Sequence, residues 1–137
     1  MSSFKSKPLI VFLHGWGTGT SSKRWNWALK LCGENQINAI SPDFPGFGYS
    51  KGSKYHCKTQ NMDDHDGPVD LIFSILSNYS ENEIYLVGFS WGGGIALKAL
   101  ERNQSMFIKC FLFMPSIDPA LLNASKITIP IKILWVK

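Results

Sequence analysis

The chain has 137 residues, 45% hydrophobic, 13% aromatic and 18% charged, with a formal net charge of +4. This is the composition of one soluble globular domain over residues 1–137, with a real core, and neither a disordered nor a fibrous chain. Residues 1–60 carry eight bases and two acids and the remainder is net −2, but the bases are scattered without a run or helical stripe, so no nucleic-acid partner is expected.

In chain order, the first wholly apolar run is residues 9–13. It is too short for a signal segment or a membrane span, so a cytoplasmic protein with no membrane partner is expected. Cys32, Cys57 and Cys110 have no C-x-x-C spacing, which agrees with a reducing compartment and speaks against a disulfide or zinc framework. Neither a cofactor nor a metal is implied.

Short apolar runs at residues 9–13, 37–41, 84–87, 108–113 and 131–136 read as strands buried on both faces, and longer amphipathic stretches lie between them. A first helix is expected over residues 22–34. A second follows Asp63-Asp-His-Asp-Gly-Pro68, with Pro68 in its first turn and Val69, Ile72, Phe73 and Leu76 at helical spacing. A third runs from after Ser90 to about Arg102, and a short fourth starts near Asp118 and Pro119. This alternation predicts an α/β fold, an open and mostly parallel twisted sheet with helices on both faces. A site in such a sheet forms beyond the carboxyl ends of the strands where strand order reverses, which directs attention to the turns after Leu13 and Val87.

The second of those turns reads Gly88-Phe-Ser90-Trp-Gly92, a G-x-S-x-G between an apolar strand and a helix. A serine on so tight a turn is held in a strained backbone that lifts its hydroxyl above the sheet, and small neighbours are needed where backbones pack. The chain contains its own control: Gly48-Tyr-Ser50-Lys-Gly52 has the same pattern, but no strand immediately before it and no apolar helix after. Ser90 is therefore the candidate nucleophile. After the first strand comes His14-Gly15-Trp16-Gly17-Thr18-Gly19, whose glycines free amides to point into a cavity. The amides of Trp16 and Trp91 are the candidate oxyanion donors, with His14 and Gly15 supporting the loop and His14 orienting it through hydrogen bonds. A dinucleotide-binding reading competes there, since Asp43 follows the next strand, but Thr20 stands where the third fingerprint glycine belongs.

Three segments in this order, Pro8-Leu-Ile-Val-Phe-Leu-His-Gly-Trp-Gly17, Pro42-Asp-Phe-Pro-Gly-Phe-Gly-Tyr-Ser50 and Gly88-Phe-Ser-Trp-Gly-Gly-Gly94, resemble the α/β-hydrolase superfamily over residues 8–136. The most similar members are small, lidless, esterase-like enzymes. The resemblance implies a serine hydrolase of a small carboxylic ester, thioester or amide. It makes the Asp43 to Ser50 segment a structural loop at the rim of the site. It also implies an acid and a histidine after the nucleophile, whereas His14, His56 and His65 all precede Ser90. Asp118, after the preceding strand, is a possible acid with an adequate role at a helix start; His65 or His56 would have to swing over the sheet to act as base. The fold is thus expected to be incomplete at its C-terminal end, lacking roughly 50 to 70 residues in two βα units, and the 137-residue chain to be nearly inactive. Trp16, Trp91 and Phe89 suggest an apolar acyl pocket or, equally, core. A non-catalytic interaction or ligand-binding protein on this scaffold is the alternative. Oligomeric state is not written in the sequence.

Overall fold

A computed structural model describes residues 7–17, 19–50 and 62–136. His56 and Cys57 lie outside the described residues. The chain forms β1 (Pro8–Leu13), α1 (Asn26–Glu34), β2 (Asn38–Ile40), α2 (Asp66–Leu76), β3 (Glu83–Phe89), α3 (Trp91–Asn103), β4 (Phe107–Phe113) and β5 (Ile131–Leu134). The strands lie in the order β2-β1-β3-β4-β5, and every pairing is parallel. The expected open sheet with helices on both faces is the fold found.

Side chains alternate across each strand. Leu9, Val11 and Leu13 of β1 join Ile84 and Leu86 of β3 in a core sealed by Val69, Ile72 and Leu76 of α2 and Ile95, Ala96, Ala99 and Leu100 of α3. On the other face, Phe12 and Val87 pack against Trp25 and against Ala28 and Cys32 of α1. Burial pushes the Cys110 thiol up to about 12, so it behaves as a small apolar side chain rather than a nucleophile.

Three local expectations are corrected. The stretch 22–34 is not one α-helix: Ser22–Trp25 is a 3-10 turn because the Ser22 amide donates to Asp43 Oδ1 at 2.7 Å and tightens the entry. The fourth helix is only two 3-10 turns, Pro119–Leu121 and Ala124–Lys126, since this mostly exposed segment has no apolar stripe to bury. Finally, β2 and β5 are not buried on both faces; they are the outermost strands, each paired on one side only.

Candidate active site

Strand order reverses between β1 and β3, and their ends are in register, with Leu13 opposite Gly88. The two glycine-rich turns therefore emerge side by side. A Cβ placed on Gly15 would lie 3.5 Å from the Ser90 Cβ, which measures how closely the turns approach.

Ser90 adopts φ 53 and ψ −121 between β3 and α3, a conformation that L residues rarely hold and that costs on the order of 1–3 kcal/mol. Four hydrogen bonds impose it. The Ser90 amide donates to Phe113 O at 2.9 Å, and its carbonyl accepts from Gly93 at 2.9 Å, Gly94 at 3.2 Å and Ser116 at 2.9 Å. The glycines are required by close approach. A Cβ on Gly88 would sit 2.7 Å from Gly92 O, and one on Gly92 would strike the backbone oxygens of Leu13 and His14. Among the described residues, the Ser90 hydroxyl and the amides of Trp16 and Trp91 have no hydrogen-bond partner.

His14 is fully buried. Its Nδ1 lies 2.8 Å from Gly15 O, and its Nε2 lies 3.0 Å from the Phe44 amide. Nε2 must accept from that N–H, so Nδ1 carries the proton and donates to Gly15 O. Both ring nitrogens are thereby engaged within the loop. Burial holds His14 below its ordinary 6.5, against the Gly15 hydrogen bond and the Asp43 charge.

Asp43 is a hub that sequence reasoning left as a loop residue. Oδ1 accepts from Ser22 at 2.7 Å and Oδ2 from Tyr49 at 2.9 Å, while Asp43 O accepts from the Ser50 hydroxyl at 2.6 Å. Burial pulls its pKa up, but the Ser22 and Tyr49 amides outweigh that and hold it below 3.8. The overlooked signal was Gly48, at φ 50, where a Cβ would run into the Asp43 carboxylate. Ser50, the control serine, is thus bound into this loop.

Trp91 is core: 1% exposed, it meets Trp16 at 4.9 Å and Phe44 at 5.0 Å between ring centroids and donates its indole N–H to Met62 O at 2.7 Å. Phe89 belongs to the cluster on the opposite sheet face. The three aromatics do not line one pocket. The Asp118 carboxylate accepts from the Ala120 amide at 2.9 Å. His65 is buried, and burial and then the Lys98 charge hold it below 6.5; no bond joins it to Ser90. Among the described residues no cluster of His, Cys, Asp or Glu could hold a metal, and no helix is long and apolar enough to cross a membrane.

The family model of the alpha/beta hydrolase fold matches residues 8–127. The probable aminopeptidase YbaC of Bacillus subtilis is 29% identical over 82% of this chain, but only 35% of that protein is covered. Two solved structures are similar in fold and sequence. Serine hydrolase CCSP0084 from Cycloclasticus zankles superimposes with a TM-score of 0.69 at 29% identity, over 84% of this chain and 40% of its own. Esterase EaEST from Exiguobacterium antarcticum gives 0.66 at 25% identity, over 82% of this chain and 39% of its own. The chain spans well under half the length of these relatives. With a matching sheet, elbow turn and family model over most of its length, the chain belongs to the α/β-hydrolase fold family.

Proposed function

We propose that this chain carries the nucleophile and oxyanion elements of a serine hydrolase acting on a small carboxylic ester, thioester or amide. The observation that carries the reading is the Ser90 turn, a strained non-glycine residue whose hydroxyl has no hydrogen-bond partner among the described residues. In the proposed step Ser90 Oγ attacks the acyl carbon, its proton leaves to a general base, and the carbonyl electron pair moves onto oxygen. The amides of Trp16 and Trp91 donate to that oxyanion, and the N-terminal end of α3 favours its charge. His14 and Gly15 act as positioning residues that hold the Trp16 amide in place. The aminopeptidase-like and esterase relatives support an acyl substrate.

Among the described residues no histidine is hydrogen-bonded to Ser90. Both nitrogens of His14 are engaged, and the Asp118 carboxylate caps a turn, although Asp118 stays the candidate acid within these residues. In a comparable triad, loss of the serine or histidine removes about 10⁶ in kcat and leaves about 10³–10⁴ over water. The chain alone is therefore a slow catalyst, and we place it in the cytoplasm with no cofactor, nucleic-acid or membrane partner.

The test is hydrolysis of p-nitrophenyl acetate with and without imidazole as an added base, paired with fluorophosphonate labelling read by mass spectrometry. Imidazole should raise the rate of the native chain above that of Ser90→Ala, and the label should map to Ser90. Equal rates in both proteins together with an unlabelled Ser90 in folded chain would overturn the reading. A non-catalytic interaction or ligand-binding protein on this scaffold would then stand.

A further inference from the structure

The loop that carries the Trp16 amide has little backbone structure of its own. Gly15 and Gly17 flank Trp16, Gly17 at φ 149, and glycine leaves a backbone many conformations of similar energy. His14 Nδ1 secures the Gly15 carbonyl at 2.8 Å and the Thr20 amide secures the Gly17 carbonyl at 3.1 Å. Between them, no backbone hydrogen bond among the described residues holds Trp16 itself. Its indole does the holding instead. The ring packs edge-to-face on Trp91, with centroids 4.9 Å apart and planes at 78°, and on Phe47, at 5.2 Å and 76°, a geometry that the ring quadrupoles favour.

Phe47 joins the set. It also lies 5.2 Å from His14 and 6.0 Å from Trp91 between ring centroids, so it meets the residue that orients the loop and both residues whose amides stand as oxyanion donors. Its own backbone is fixed. The Phe47 amide donates to Phe44 O at 2.9 Å and its carbonyl accepts from the Ser50 amide at 2.8 Å, inside the turn that Asp43 ties through the Tyr49 amide. Gly46 at φ 89 and Gly48 at φ 50 bend the chain on either side of it. Phe44 also meets His14 and Trp91, but it is fully buried and serves the core. We propose that Phe47 is a positioning residue that sets the spacing of the two oxyanion donors by pressing the Trp16 indole onto Trp91. The inference rests on the serine-hydrolase reading of Ser90. Preorganised donors act where charge develops in the transition state, so loosening the Trp16 ring lowers kcat and leaves ground-state binding nearly untouched. A ring that only filled the core would lower stability without that selectivity.

The oxyanion itself supplies the readout. p-Nitrophenyl acetate and its thionoester, in which sulfur replaces the carbonyl oxygen, are compared on the full chain with imidazole as added base, each rate taken above that of Ser90→Ala. Sulfur is a weak hydrogen-bond acceptor, so the oxygen-to-sulfur ratio of kcat measures what the two amides contribute. Phe47→Leu should lower kcat on the oxygen ester about ten-fold, a part of the roughly 10²–10³ that a whole oxyanion donor is worth. KM and the thionoester rate should stay close to native, so the ratio falls by the same factor. Phe47→Tyr, which keeps the ring, should restore it. Phe73→Leu truncates another partly buried ring on the same face of the sheet and should leave the ratio at its native value. Circular dichroism checks each fold, and Phe47→Met, which keeps more of the volume, replaces Phe47→Leu if that protein does not fold. A native ratio in the folded Phe47 variant, an equal fall in Phe73→Leu, or no recovery in Phe47→Tyr would each overturn the role of Phe47 while Ser90 stands. Equal rates of the native chain and Ser90→Ala on both esters would instead fail at Ser90 and overturn both.

Discussion

The two faces of the sheet are built to different standards. On one, α2 and α3 lie over Leu9, Val11, Leu13, Leu86 and Leu112, all but sealed from solvent. On the other, α1 and Trp25 of the turn before it cover Phe12 and Val87, and Trp27, Leu134 and Val136 stay 66%, 43% and 79% exposed. The difference shows where rigidity is needed. Ser90 sits at the seam between β3 and α3, and its strained backbone persists because the closed face and the glycine contacts leave it no room to relax. The open face imposes no such constraint on the turn.

The largest expected effect tests the closure itself. Leu86→Ala empties a fully buried site and should cost about 2–5 kcal/mol in urea denaturation. Phe113→Ala, a larger truncation on the open face where the ring is only partly buried, should cost less. If Phe113→Ala proves the more damaging, the two faces are not unequal in the sense argued.

Next comes the strain at the seam. Ser90→Gly allows φ 53 without a Cβ and should raise stability by about 1 kcal/mol, after the added entropy of the unfolded chain is discounted. A destabilised Ser90→Gly protein would show that the hydroxyl or Cβ contributes packing that outweighs the strain.

The smallest effect is titration of the closed face. Burial holds His14 below 6.5 in the folded chain, so the unfolded chain takes up the proton first as pH falls. Stability is then full above 6.5 and declines as the pH drops through that value toward the folded pKa. Burial and then the Lys98 charge shift His65 in the same direction, in the same window, and Asp43 adds its loss only below 3.8. Urea midpoints should fall between about pH 7.5 and pH 5.5, and more shallowly in His14→Gln. A flat profile would mean that neither histidine is held neutral by folding.

Local chemistry was legible to the extent that it repeats along the chain. The strands announced themselves as apolar runs, the Ser90 turn as small residues between strand and helix, and the Ser50 pattern as a decoy lacking that context. What escaped were features made by residues far apart in sequence. Ser22 opens a 3-10 turn whose amide meets Asp43 across 21 positions; Trp16, Phe44 and Trp91 form one aromatic cluster; and Phe89 is parted from Trp91 because β3 ends at Phe89 and the Ser90 turn starts α3 at Trp91 on the other face.

The sequence by itself thus determined the parallel sheet and the turn that holds Ser90, through periodicity and the places where glycine is needed, while the family came from the resemblance of three motif segments. Only the tertiary structure decided which strands are outermost, which ring nitrogen of His14 carries the proton, and that two helices close one face while the other leaves Trp27 and Val136 exposed. Those depend on which distant backbones and side chains meet, and that is set when the sheet assembles.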